Sequence, residues 1–169
     1  MAIFTNKVFP SGGEAGSGGG IIQVVTNSST AQTQVNGTGT WTDVSPTCSI
    51  TMHESGNKVL VFLSAGIGME WVGTTSFRLL RGSTTVQTTG GYCWNNTRWQ
   101  YAPPPFQGVL DAPGSGTHTY KVQIKTSRNS QMYYNWNIAE SQTAHMTLME
   151  VSSGLILFLM FVEAPPLDD

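Results

Sequence analysis

The sequence predicts an all-β protein, an antiparallel jelly-roll-like β-sandwich with an extended N-terminal arm and an apolar extra strand at its C-terminal end. Three observations lead there. Apolar residues recur with a period of two rather than 3.6. Polar, glycine-containing turn clusters separate short runs rich in Val, Ile, Thr and aromatic residues. No stretch carries a helical stripe bounded by capping residues. About ten short strands joined by polar turns make a two-layer sandwich, and a jelly roll is a common way to close one of this size.

Residues 1–20 (MAIFTNKVFPSGGEAGSGGG) are a mixed segment running into a glycine-rich linker, a composition that cannot bury enough surface to fold alone. The sandwich spans residues 21–153, and residues 154–169 form a C-terminal strand and tail. Residues 21–26 are a short apolar run. Residues 41–44 and 48–52 alternate, with Ile50 and Met52 on one face. Residues 58–65 (KVLVFLSA) are almost continuously apolar, as a central strand should be. Residues 76–81 and 84–88 flank Gly82-Ser83, a two-residue hairpin turn. The clearest strand covers residues 118–126: Tyr120, Val122 and Ile124 share one face, Lys121, Gln123 and Lys125 the other. Strands over 131–139 and 144–151 follow, and Gly154 leads into the apolar run 155–162. Turns fall at 55–57, 111–116 and 127–130.

The chain of 169 residues fits one domain. Charged residues make up only 11% of it, against about 25% in an ordinary soluble domain. Thr, Ser, Asn, Gln and Gly take their place. Lone monomers keep charged surfaces for solubility, so a charge-poor, hydroxyl-rich chain points to a surface covered by neighbouring subunits. The net charge of -2, with basic residues scattered from Lys7 to Arg128, excludes a phosphate-tracking patch and thus a nucleic-acid partner. The N-terminal residues lack the apolar core of a signal peptide. The longest apolar run, eight residues at 155–162, falls short of the ~20 a membrane helix needs. No membrane association is expected. Cys48 and Cys93 read as two unpaired thiols.

Residues 90–107 (GGYCWNNTRWQYAPPPFQ) interrupt the strand pattern with Tyr92, Trp94, Trp99, Tyr101 and Phe106 beside a triple proline. The segment is too aromatic for a floppy loop and too proline-rich for a central strand. An ordered loop with a surface to cover is expected. Trp94, Trp99 and Tyr101, near Arg98 and Asn95, are suited to packing an end of the sandwich, to a protein partner's hot spot, or to stacking on sugar rings.

Catalytic patterns are missing. There is no G-x-S-x-G nucleophile elbow, and His53, His118 and His145 stand in no fixed relation to an acid or serine. The acids form no pair suited to glycoside hydrolysis. Cys48, Cys93 and the histidines lack C-x-x-C or H-x-x-x-H spacing. A three-fold axis would turn one His or Asp into three ligands, which a single chain does not reveal. The glycine stretch 12–20 lacks the Gly-Lys-Ser/Thr ending of a phosphate loop. The N-x-Ser/Thr triplets at Asn27, Asn36 and Asn95 read as chance in a Thr/Ser-rich chain. The expectation is a protein that is no enzyme and holds no cofactor or metal.

Three pieces carry a family resemblance: residues 18–25 (GGGIIQVV), residues 48–67 with 76–86, and residues 110–126 (LDAPGSGTHTYKVQIKT) with 144–151 (AHMTLMEV). Together they resemble small β-sandwich domains of tailed-phage virion proteins, with a jelly roll of the trimeric tumour-necrosis-factor-like type. The resemblance covers residues 18–151 and implies a homotrimer without cofactor or catalysis. Such domains occur at tail-fibre tips and among proteins that decorate heads. Here a long N-terminal shaft is missing and a tail (SGLILFLMFVEAPPLDD) follows the closing strand, both of which fit a subunit clamped onto a shell. The expected function is a trimeric capsid decoration or cement protein that binds and stabilises the head lattice. Its partners would be its own copies and the major capsid protein, in a virion assembled from host cytoplasm. The alternative is a receptor-binding tail-fibre or spike protein that meets host glycan. Tyr92, Trp94, Arg98, Trp99, Tyr101 and Phe106 are the expected partner contacts. Phe4, Val8 and Phe9 of the arm and Leu155, Leu157, Phe158 and Phe161 of the tail are the expected assembly contacts. An exposed apolar strand of that length aggregates, so something must cover the tail.

Overall fold

The structure, a computed structural model, describes residues 20–37, 39–70, 73–93, 100–102, 106–126, 131–135 and 142–153, with backbone alone for 69–70, 91–93, 100–102 and 131–133. Phe4, Val8, Phe9, Trp94, Arg98, Trp99, Leu155, Leu157, Phe158 and Phe161 lie outside the described residues.

The strands, in chain order, are β1 (Ile21–Ser29), β2 (Thr33–Asn36), β3 (Thr42–Met52), β4 (Lys58–Ser64), β5 (Ile67–Glu70), β6 (Gly73–Arg81), β7 (Thr84–Cys93), β8 (Gln100–Ala102), β9 (Gln107–Asp111), β10 (Gly116–Thr126), β11 (Gln131–Tyr134) and β12 (Ala144–Val151). They form three antiparallel ladders: β1-β12-β4-β9, β2-β11-β5-β8 and β3-β10-β6-β7. The first two ladders run in the same order through strands that follow one another in the chain. They are the two halves of one bent layer, in which β1 continues as β2, β4 as β5, β8 as β9 and β11 as β12. Counting each such pair once leaves eight strands, ordered 1-8-3-6 in the first layer and 2-7-4-5 in the second. That interleaving is the jelly roll, two Greek keys wrapped into a sandwich. The sandwich expected from the period-two pattern is therefore present, with its layers identified. The expected arm and C-terminal strand lie outside the described residues.

Alternation places the core between the layers. From the first layer come Val59, Val61, Leu63, Val109, Met146 and Leu148; from the second come Ile50, Phe77, Leu79, Tyr120, Val122 and Ile124, all buried. β4 is central in its ladder, between β12 and β9, as its continuous apolar run requires. The β6–β7 hairpin closes at Arg81↔Thr84. Gly82 holds φ 56° at the first turn position, where a side chain is disfavoured.

The structure departs from the sequence expectations in several places. The alternating runs at 41–44 and 48–52 are one strand, β3, interrupted where Tyr120 and Val122 of β10 face Cys48 and Val44. Pro46 sits in that irregularity; it has no N–H for the ladder, and β3 is an edge strand. The interruption at 90–107 is not one loop. Gly90 and Gly91 continue β7 opposite Ser76 and Thr75. At Gly90 a Cβ would stand 3.2 Å from the Thr75 carbonyl oxygen, so the bare backbone suits the close approach. β8 and β9 then follow on either side of the prolines. Strand β11 ends at Tyr134 because Asn135 turns the chain at φ 57°, a conformation Asn tolerates.

Leu148, fully buried at the centre of β12, tests the packing. Leu148→Ala is expected to lower unfolding free energy by about 2–5 kcal/mol, read from urea denaturation. A loss under ~1 kcal/mol would contradict a packed interior at β12.

Candidate functional site

The inward-facing acids of the sandwich are satisfied by neighbouring strands. Among the described residues, Thr75 Oγ1, Thr126 Oγ1, the Tyr134 hydroxyl and Asn135 Oδ1 are buried without a partner and are not gathered with an acid or base. This leaves an outer face as the candidate site. Glu150 of β12 points inward and is 0% exposed. It accepts hydrogen bonds at Oε1 from the His53 backbone N–H (2.9 Å) and Asn57 Nδ2 (2.7 Å), and at Oε2 from Gln23 Nε2 (2.6 Å) and His53 Nδ1 (2.8 Å). The Gln23 amide has two hydrogens; one goes to the Thr51 carbonyl (2.6 Å) and the other to Glu150. None is left for His53 Nδ1, so that nitrogen carries the proton it gives to the carboxylate. Burial pushes the Glu150 pKa up. The bonds from Asn57, Gln23 and His53 outweigh it and hold the group at about 2. A carboxylate with its oxygens occupied and so low a pKa is no general base near neutrality.

Asp111 ends β9 and bridges the layers. Arg81 Nη1 and the Tyr120 hydroxyl, both from the second layer, donate to its Oδ2 at 2.7 Å each. Burial first, and then the Asp111 carboxylate, push the Tyr120 phenol far up, so it stays a donor. On the outer surface of the second layer, Lys121 Nζ donates to Asp43 at 3.0 Å and Gln123 donates to its other oxygen. The Gln123 hydrogen bond, followed by the Lys121 contacts, holds the Asp43 carboxyl below its ordinary value against the opposing effect of burial. Arg78 donates to Gln123 at 2.7 Å, and Arg78 and Lys125 lie over the Trp41 ring at 4.4 and 4.8 Å. Cys48 is a free, buried thiol, raised in pKa by that burial. Among the described residues no group of three His, Cys, Asp or Glu is placed to hold a metal.

The outer face of the first layer is different. Register aligns Val24 with Met149, Met149 with Leu60, and Leu60 with Leu110, an apolar row across all four strands. Val24 is 38% and Leu110 46% exposed. The next row is Thr26, Thr147, Phe62 and Gln107. Neither row carries a charge. Ile22, also exposed, extends the apolar surface toward the end where the chain enters β1. Beside Phe62 lies an open hollow of about 440 Å³, bounded by Ser64, Phe106, Gln107, His145 and Thr147. The face suits burial against an apolar surface rather than chemistry on a polar substrate.

Of the residues expected to meet a partner, Phe106 is 0% exposed. Its carbonyl accepts the Leu63 N–H at 2.8 Å, which draws the residue into the core directly after the prolines. Its side chain is buried in the core rather than presented on a loop, a correction to its place among the expected loop contacts, and the residue also bounds the hollow beside Phe62. Tyr92 sits on β7 opposite Thr74, and Tyr101 on β8 opposite Gly68; these strands belong to different layers, so residues 94–99 join the two layers. The open face was not anticipated from the sequence. Its signal was present, since β4 carries Leu60 and Phe62 on one parity and Val59, Val61 and Leu63 on the other. A strand apolar on both faces needs a cover on each.

No protein-family model matches the chain, and comparison with curated proteins finds no match. Solved structures similar to it include an insecticidal delta-endotoxin of Bacillus thuringiensis, with TM-score 0.30 and 12% identity over 76% of this chain and 19% of that one. A structure of infectious bursal disease virus, Gx strain, has TM-score 0.39 and 9% identity over 89% of this chain and 48% of that one. A mutant VP2 protein of infectious bursal disease virus has TM-score 0.37 and 13% identity over 89% of this chain and 43% of that one. The chain thus spans less than half of each. At such TM-scores the likeness assigns no function, and the jelly roll rests on its own strand order.

Glu150 gives the fold a defined acid response. Its carboxyl sits at about 2 against an ordinary 4.5. A depressed folded pKa contributes stability above the unfolded value and loses it as pH falls through the folded one. Wild-type stability is therefore expected to drop between pH ~4.5 and ~2, with roughly 3 kcal/mol of that drop due to Glu150. Glu150→Gln should be less stable at neutral pH and show a flatter acid profile in urea titrations. Parallel profiles for the two proteins would contradict the buried carboxylate.

Proposed function

We propose that the chain is a non-catalytic structural subunit that works by contact with its own copies and with a larger shell. The observation that carries this reading is the apolar row of Val24, Leu60, Met149 and Leu110, with Lys58 as the charged residue of β4 on the same parity, on a jelly roll whose inward acids are satisfied by neighbouring strands. Apolar surface removed from water contributes about 25 cal/mol per Å², and it is costly to leave open on a protein with so few charges for solubility. The more specific form of the proposal follows the family resemblance: a homotrimeric decoration or cement protein on the head of a tailed phage, bound to the major capsid protein. Three subunits engaging a lattice together bind far more tightly than one, by effective concentration.

A second reading is a receptor-binding tail-fibre or spike protein. It is favoured by the segment 94–99, rich in aromatic and amide side chains, at the crossing from β7 to β8. In that case Trp94, Arg98, Trp99 and Tyr101 would take host glycan. A decoration protein occurs in numbers tied to the lattice, whereas a fibre protein adsorbs to cells by itself.

Sedimentation velocity on the purified chain tests self-association. The 18.2 kDa chain is expected to sediment as a trimer from about 0.1 M to about 1 M salt, while the screening length falls from ~10 Å to ~3 Å. A monomer at every concentration, or dissociation as salt rises, would contradict assembly through an apolar face.

A further inference from the structure

The apolar face has a matching segment in this chain. Residues 155–162 (LILFLMFV) are eight uninterrupted apolar residues, two of them Phe, and they follow β12 after a short link. They cannot pair beside β12, which is already held between β1 and β4. The free edge of β1 is closed against β3: Gln23 donates to the Thr51 carbonyl (2.6 Å) and Asn27 to the Thr47 carbonyl (2.7 Å). The tail therefore has no free edge beside the strand it leaves, and the other edge of the ladder, β9, lies two strands away across β4.

The end of the β1–β12 ladder is also fixed. The Ser152 N–H donates to the Gly20 carbonyl at 3.0 Å, and the Gly20 N–H donates to Ser152 Oγ at 2.9 Å. These bonds carry the β1–β12 ladder as far as Gly20 and Ser152, three residues beyond Met149, and Ser153 then leaves the extended conformation. To reach its own face the tail would have to double back over β12 within a few residues of Ser152 and climb the ~10 Å that separates packed layers. A neighbouring copy is met without that reversal. Eight extended residues span ~26 Å, more than the ~14 Å across four strands.

We propose that the outer face of the first layer is the seat of residues 155–162 of a neighbouring copy, each subunit giving one tail and receiving one. The proposal deepens the self-assembly reading and rests on it. The row Val24, Met149, Leu60 and Leu110 receives the aliphatic residues, and the hollow of about 440 Å³ beside Phe62 receives a tail phenylalanine. The contact is heterologous, tail to face, and a ring of three closes it so that no tail or face is left over. This also answers the aggregation hazard of both apolar surfaces at once.

The test uses the full chain with a photo-crosslinking p-benzoylphenylalanine in place of Leu110, assembled from an equal mixture of light and isotope-heavy protein. Cross-linked peptides are mapped by mass spectrometry, and the mass of the assembly is read by sedimentation. Cross-links from position 110 to residues 155–162, joining light to heavy chains within a trimer, are expected. A trimer whose cross-links join only chains of one isotope, or avoid the tail, overturns the exchange and leaves the assembly reading standing. A chain that stays monomeric overturns both. As a second measurement, Phe158→Asp and Leu110→Asp are each expected to raise the concentration for half-assembly about tenfold or more. Unchanged assembly of both variants refutes the proposed contact.

Discussion

The fold depends on burying one carboxylate correctly. An ionised carboxyl group inside a protein is tolerated only when its oxygens are supplied with donors. Glu150 finds them on three separate stretches: Gln23 on β1, His53 just after β3, and Asn57 at the turn into β4. The requirement pins β1 to β12 with Gln23 opposite Glu150. A slip of one residue would turn every side chain of β1 to the other face. Gln23 would leave the carboxylate, and Val24 would go inward. The polar cluster thus decides which apolar residues are left outside.

From that phase follows a molecule with two unlike outer faces. The second layer shows solvent paired hydroxyls, Ser49 with Thr119 and Thr51 with Thr117 at 2.8 Å each, together with the Asp43, Lys121 and Gln123 contacts. Cross-strand pairs of this kind stabilise a water-facing sheet, and they account for part of the Thr and Ser enrichment. Among the described residues, the first layer carries one such pair, Thr26 with Thr147 at 3.0 Å, beside the aliphatic row of Val24, Met149, Leu60 and Leu110. The inference drawn above follows from this asymmetry, because the layer with the bare face is also the one whose last strand leads into the apolar tail.

Much of the fold was legible from local pattern. Strand β10 and the β6–β7 hairpin announced themselves through strict alternation and a glycine at the turn. The short strands β2, β5, β8 and β9 did not. β2 and β5 have four residues each, too short for a period of two to repeat, and among the described side chains they bring Val35 and Ile67 to the core. Phe106 misled because its aromatic neighbours suggested a surface loop; its burial depends on Leu63, which the sequence does not place beside it. Pro46 split one strand into two apparent runs. The candidate site was half legible. Apolar residues on both parities of β4 signalled two covered faces, yet periodicity cannot tell which of them the chain covers with its own core. Of the aromatic loop's expected contact residues, Trp94, Arg98 and Trp99 lie outside the described residues, and Tyr92 and Tyr101 are placed only by their backbone.

The most direct test of a structural role in a particle is the number of copies per virion, counted by quantitative mass spectrometry of purified particles against the major shell protein. The account predicts a copy number comparable to that of the shell protein, rising and falling with lattice size. Absence of the chain from purified particles would contradict it.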